Sequence, residues 1–172
     1  DPFRGAMLAV AESARNVACA GAEPIGATNN LNFGNPERPE IMWQFGEAVR
    51  GIGDACRALD VPITGGNVSL YNETEGRAIY PTPVLGVVGL LEDAAQTVTR
   101  TFRSTGAAVI VLGDNYGELG GSEYLARLHA TVAGAPPALD LDRERALQQL
   151  IVGLVRAGLV ESAHDCSDGG LA

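Results

Sequence analysis

Pro24-Ile25-Gly26-Ala27-Thr28-Asn29-Asn30-Leu31-Asn32-Phe33-Gly34-Asn35-Pro36-Glu37-Arg38-Pro39-Glu40 is the stretch on which the fold turns. A short apolar run passes into polar, Gly- and Pro-rich chain and then into a helix. Pro24 to Thr28 reads as a short buried strand and Asn29 to Pro39 as a loop. Pro39 suits the first turn of a helix, where its missing N–H leaves nothing unsatisfied. That helix runs to about Leu59, with Met42, Phe45, Val49, Ile52, Cys56 and Leu59 on one stripe. Upstream, Leu8, Ala11, Ala14, Val17 and Ala18 recur at helical spacing over residues 6–20, and Gly21 suits a C-cap.

Downstream, Val61-Pro62-Ile63-Thr64 reads as a second strand that runs straight into Gly65-Gly66-Asn67. A hairpin-like excursion follows around Asn72 to Arg77, then an apolar strand from Val84 to Leu91. Strand, helix, strand with short polar turns predicts α/β architecture with mixed sheets. Residues 92–105 turn polar, which places a domain boundary there and divides the chain into 1–93 and 94–172. Beyond it the pattern predicts a buried strand from Ala107 to Leu112 and a helix capped by Ser122 to about Ala130. A second helix, capped by Asp140 or Asp142, runs through Ala157 with Leu147, Leu150, Ile151, Leu154 and Val155 inward. A last strand covers Leu159 to His164, and Asp165 to Gly170 form a turn.

The 172 residues are 46% hydrophobic and 19% charged, enough apolar chain for a packed core. The net charge of -9 offers no basic stripe for a nucleic acid. An acidic chain can still take a phosphorylated ligand when a divalent cation supplies the positive charge. Cys19, Cys56 and Cys166 form neither a disulfide framework nor a zinc pattern, and the first two read as small core residues. No apolar run approaches a membrane span and no signal peptide opens the chain, so the expectation is a cytoplasmic protein with no membrane partner. The chain opens without Met and stops in a Gly-rich turn about to enter a helix, which reads as a piece of a longer protein with apolar surface exposed at the break.

Five constellations carry chemistry. Four asparagines fall within Asn29–Asn35, directly after a strand, where ligands of α/β sheets sit. Amides donate and accept without charge. The same residues suit a turn, because Asn tolerates left-handed backbone. In Gly65-Gly66-Asn67-Val68-Ser69, two glycines let backbone approach a phosphate, Asn67 offers an oxygen to Mg²⁺ and Ser69 a hydroxyl to a ligand. A simple turn is the competing explanation. Glu12 and Asn16 share a helix face and can both offer oxygen to a hard cation, or be an exposed polar pair. In His164-Asp165-Cys166-Ser167-Asp168-Gly169-Gly170, Asp165 and Asp168 suit Mg²⁺ and Ser167 a phosphate, and His164 suits a base or a structural histidine. Glu118-Leu119-Gly120-Gly121-Ser122 leads into a helix and is explained by capping. No Walker-type lysine motif is present, so an ATP site here would rest on metal, backbone N–H groups and small polar side chains.

Taken in order, residues 9–40, 62–73 ("PITGGNVSLYNE"), 81–90 ("PTPVLGVVGL"), 119–125 ("LGGSEYL") and 164–172 ("HDCSDGGLA") resemble the synthetase subunits of the phosphoribosylformylglycinamidine synthase family, small bacterial type. The resemblance covers essentially the whole chain. It implies a PurM-like N-terminal α/β domain, truncated at its start, followed by the first part of a PurM-like C-terminal α/β domain. Both would belong to the second of two pseudo-repeated halves. The implied activity is an ATP-dependent ligase of purine biosynthesis. It converts formylglycinamide ribonucleotide, ATP and glutamine-derived ammonia to formylglycinamidine ribonucleotide, ADP and phosphate, with Mg²⁺ as cofactor. The implied partners are a glutaminase subunit and a small accessory subunit. The family's catalytic histidine lies in the other half, so no residue here is assigned that role, neither His129 nor His164. By resemblance, Asn29 and Gly66 contact ATP, Asn67 binds the metal and Ser69 the substrate. Glu12, Asn16, Asp165 and Ser167 resemble an auxiliary nucleotide and metal site of the large form of the enzyme. Two other readings are a non-catalytic half that holds a structural nucleotide, and a related kinase such as selenophosphate synthetase.

Overall fold

The structure, a computed structural model, describes residues 1–114, 116–167 and 170. Helix α1 (Pro2–Cys19) begins where Asp1 accepts a hydrogen bond from Arg4 N and Pro2 takes the first turn. Its buried stripe is Ala6, Val10, Ala11, Ala14 and Ala18, mostly small side chains that let neighbours approach closely. Helix α2 (Pro39–Leu59) starts at the expected proline and ends on Asp60 in the left-handed conformation. Gly51 sits where α1 and α2 are nearest, and any Cβ there would collide with the Phe3 carbonyl. The buried face of α2 is Ile41, Ala48, Ile52, Ala55, Cys56 and Leu59, turned from the expected stripe, so that Met42 and Val49 are exposed. The alternative stripe is richer in small residues and fits against α1.

Both helices cover one face of a three-stranded sheet in the order β2 (Ile63–Ser69), β1 (Glu23–Asn32), β5 (Thr82–Leu90). The central strand β1 pairs parallel with β2 and antiparallel with β5. Ala27 and Leu31 of β1 are buried against the helices together with Val61 and Phe33. Between β2 and β5 lies a small hairpin of β3 (Glu73–Thr74) and β4 (Arg77–Ala78). The sequence placed Asn29–Asn32 and Gly65–Ser69 in loops, but both are strand: each runs beside the other in a continuous parallel ladder, and ladder hydrogen bonds override the turn preference of Asn and Gly.

The second part holds less regular structure among the described residues. After the short 3₁₀ turn Ala94–Gln96 comes α3 (Glu123–His129), capped by Ser122 as expected. Helix α4 (Leu141–Arg156) is capped by Asp140, whose carboxylate accepts from Asp142 N and Arg143 N. It docks on α1 through Ile151 and Val152 against Ala18. Leu150, expected inward, is exposed, and Glu144 and Gln148 are buried instead. Ala107 to Leu112 forms no strand, and Val109 and Ile110 are 74% and 75% exposed. No described strand pairs with it, and an apolar run without a ladder partner does not become a strand. Leu159–His164 contributes only an isolated parallel bridge between Ser162 and Thr99. No helix among the described residues is long and apolar enough to cross a membrane.

Candidate functional site

The parallel register sets Asn29 beside Gly66, Asn30 beside Asn67 and Asn32 beside Ser69. The two polar segments therefore lie side by side at the carboxyl ends of β1 and β2. Side chains alternate across a strand, so the ladder sorts them onto two faces. Asn29 lies between buried Ala27 and Leu31 on the helix-facing side. Gly66 faces the same way, and a Cβ there would run into Asn29 Oδ1 and come to 2.8 Å from Asn29 O. Glycine at 66 is thus required by the side chain beside it.

The other face of the sheet is uncovered. Thr28, Asn30 and Asn67 are exposed there, with Ser69 half-buried. Asn67 Nδ2 lies 3.5 Å from Asn30 Oδ1, and Thr28 Oγ1 donates to Gly65 O at 3.1 Å. Asn32 Nδ2 donates to Asn30 O and Thr82 O, both at 3.2 Å, which ties the tip of β1 to β5. Toward the opposite end of the strands this face becomes apolar, with Ile25, Ile63, Val88 and Leu90 exposed. The polar end carries neutral groups: amides, hydroxyls and, at Gly65, bare backbone, with Val84 exposed beside Asn30. Such a surface solvates a ligand's phosphates and hydroxyls without adding charge.

Of the predicted residues, Asn67 and Ser69 share the open face, whereas Asn29 and Gly66 share the helix-facing one. Sequence reasoning missed Asn30, which is on the open face against Asn67. The signal was present: once strand is extended through Asn32, Thr28, Asn30 and Asn32 alternate with Ala27, Asn29 and Leu31. It also missed Asn72, which holds Ser69 from the turn that follows β2.

The second predicted cluster lies where α1 meets the chain after α4. Asp165 is only 6% exposed. With its nitrogen turned to the carboxylate, the Asn16 amide donates to both oxygens at 3.1 Å, and Ser167 Oγ donates to Oδ1 at 2.7 Å. His164 Nδ1 is 3.5 Å from the same oxygen. Asn16 and Asp165 line a groove of about 240 Å³ together with Cys19, Thr99, Arg100 and His164. Burial pushes the Cys19 thiol up to about 11, and the Asp165 charge adds to this. One turn earlier on α1, Arg15 meets Glu144 of α4 through two bonds of 2.8 and 3.0 Å. Burial opposes the Arg15 charge, but Glu144 outweighs it and holds the guanidinium's pKa above its ordinary value. Gln148 Nε2 completes the network to Glu144 Oε1 at 2.9 Å and Ala11 O at 3.3 Å. Glu12 is exposed on α1, and among the described residues no hydrogen bond joins it to this cluster. Asp168 lies outside the described residues. Among the described residues no three His, Cys, Asp or Glu side chains gather as a metal cluster.

Residues 1–91 match the profile of the AIR synthase related protein, N-terminal domain, and residues 104–172 that of the AIR synthase related protein, C-terminal domain. Over all 172 residues the chain is 63% identical to the phosphoribosylformylglycinamidine synthase subunit PurL of Anaeromyxobacter dehalogenans and 58% identical to that of Moorella thermoacetica. It spans 23% and 24% of the length of those relatives. The crystal structure of phosphoribosylformylglycinamidine synthase II from Thermotoga maritima superposes on 92% of the chain with a TM-score of 0.59 at 24% identity, covering 22% of that protein. T. maritima PurL has also been solved complexed with ATP and with FGAR, each with a TM-score of 0.58 at 24% identity, over 92% of this chain and 22% and 21% of theirs. The N-terminal-domain profile alone takes in residues 1–91 of 172, more than half, and the C-terminal-domain profile follows it in order, so the chain is a member of the AIR synthase related family.

Proposed function

We propose that this chain is part of an ATP-dependent C–N ligase, a phosphoribosylformylglycinamidine synthase of purine biosynthesis. Residues 1–93 belong to its second nucleotide- and substrate-binding N-terminal domain, and residues 94–172 begin the second C-terminal domain. The observation that carries this reading is the register that sets Asn30 beside Asn67 and Asn32 beside Ser69 on an open sheet face, in a chain 63% identical throughout to a PurL subunit. ATP transfers its γ-phosphoryl group to the amide oxygen of formylglycinamide ribonucleotide. Ammonia then attacks that carbon and the phosphate departs, leaving the amidine. A glutaminase subunit supplies the ammonia, and a small accessory subunit completes the complex.

Residues of this chain bind and orient. Asn29 and Gly66 form the nucleotide side of the ladder and Ser69 contacts the ribonucleotide. Mg²⁺ fits as a cation carried largely by phosphate: Asn67 engages its nitrogen toward Asn30 and turns its amide oxygen elsewhere, and Mg²⁺ takes oxygen ligands while keeping several waters. When bound, the ion neutralises charge on the transferring phosphoryl group. In the full-length protein, Asn67→Ala should cut ammonia-dependent turnover at least about tenfold with the fold retained. Wild-type turnover in that variant counts against the reading.

A second reading, a structural nucleotide held by this half, is favoured by the convergence of Asn16 and Ser167 on buried Asp165. There Glu12, Asn16, Asp165 and Ser167 form an auxiliary nucleotide and metal site. Nucleotide retained through purification and lost in Glu12→Ala supports it. Unchanged nucleotide content in that variant removes it.

A further inference from the structure

The turn after β2 is built around Asn72. Tyr71 adopts φ 60°, a left-handed conformation that an aromatic residue takes only when its surroundings impose it. Tyr71 N donates to Gly34 O at 3.0 Å and Asn72 N to Phe33 O at 3.1 Å, so the turn folds back on the end of β1. Ile79 N donates to Asn72 O at 3.1 Å, closing the hairpin on the same residue.

The Asn72 side chain is then fully committed. Its Nδ2 donates to Ser69 O at 2.9 Å and Phe33 O at 3.1 Å. The reverse amide orientation would set Oδ1 against two carbonyls, so the orientation is fixed. Nδ2 also lies 3.2 Å from Ser69 Oγ, but the two carbonyls are nearer and take its two hydrogens. Oδ1 therefore accepts the Ser69 hydroxyl proton at 3.2 Å. With its proton held by Asn72, Ser69 Oγ is left as a hydrogen-bond acceptor.

We propose that Asn72 is a positioning residue that fixes the Ser69 hydroxyl as a hydrogen-bond acceptor for a donor group, an N–H or hydroxyl, of the ribonucleotide. This rests on the assignment of Ser69 as a substrate contact. Without Asn72 the hydroxyl rotates among its rotamers and its acceptor orientation is lost.

The test is a double-mutant cycle in the full-length protein, measuring kcat and KM for formylglycinamide ribonucleotide under saturating ammonia and Mg-ATP, with thermal melts of each variant. Ser69→Ala and Asn72→Ala should each raise KM about fivefold with kcat little changed, and the double variant should be no worse than either alone. A hairpin-only role predicts a lower Tm with KM unchanged, and that result overturns the proposal. Multiplying effects in the double variant also overturn it. If Ser69→Ala itself leaves KM unaltered, the substrate-contact assignment fails and the proposal falls with it, whereas an effect of Ser69→Ala without one of Asn72→Ala rejects the positioning role alone. Should Asn72→Ala not fold, Asn72→Ser, too short to reach Ser69 Oγ, takes its place in the cycle with the same outcomes.

Discussion

Two polar clusters on this chain are built on opposite plans. At the tips of β1 and β2, Asn30, Asn67 and Ser69 are neutral and lie on an open face, with Asn67 Nδ2 3.5 Å from Asn30 Oδ1. At the junction of α1 and α4, half-buried Arg15 and buried Glu144 form an ion pair that buried Gln148 joins, and they spend their hydrogen bonds on one another, as Asp165 does on Asn16 and Ser167. A group that satisfies itself internally adds stability or holds elements together. One that leaves donors and acceptors facing outward waits for a ligand that brings its own charge. The first cluster should therefore report on binding and the second on stability.

The widest effect should come from Gly66→Val, because it should disturb binding and stability together. Its side chain would overlap Asn29 at the centre of the ladder, so Tm and nucleotide affinity should fall together, with a stability loss of about 1–3 kcal/mol or more. A variant with unchanged melting and affinity would show that the strand tips are looser than the register implies. Arg15→Ala should act on stability alone, because it strands the Glu144 carboxylate, only 7% exposed, without its cation. Such losses run to about 3–5 kcal/mol, read by chemical denaturation, while KM for ATP should stay within about twofold. Pairing Arg15→Met with Glu144→Leu should recover most of the loss, and no recovery would mean that the ion pair is not the cause.

Asp165→Asn should sharpen the comparison. Among the described residues its carboxylate meets Asn16, Ser167 and His164, so the change should lower Tm by a few degrees without altering turnover. Loss of co-purifying nucleotide would instead move this cluster to the ligand-binding class. The smallest effect concerns Cys19. The folded thiol, pushed to about 11 by burial, holds its proton more tightly than an unfolded thiol at 9.0. That contribution is complete below pH 9 and is lost as pH rises toward 11, because the unfolded state ionises first. Wild-type Tm should therefore fall more steeply than that of Cys19→Ala between pH 9 and 11. Parallel curves would show that the thiol plays no part.

The sequence was most legible where local chemistry and the ladder agreed. Pro39 marked the start of α2, Ser122 that of α3, and the Asp140/Asp142 pair bracketed the start of α4. It was less legible where partners decide. Val84–Leu90 and Ala107–Leu112 are both apolar runs, yet β5 has β1 to pair with and Ala107–Leu112 has no described neighbour. Asn and Gly at 29–32 and 65–67 look like turn formers until they are set side by side, when backbone pairing carries the strands on to Asn32 and Ser69. The site residues were visible as types and spacing. Their division between two faces was not, because it depends on where each strand ends.

Whether the tips of β1 and β2 bind nucleotide as one site is read by hydrogen–deuterium exchange on the full-length protein, with and without Mg-ATP. Peptides spanning Thr28–Asn32 and Ile63–Ser69 should gain protection together on adding the nucleotide, and the gain should vanish in Asn67→Ala. Protection confined to peptides around Asn16 and Asp165, with the strand tips unchanged, would contradict such a site.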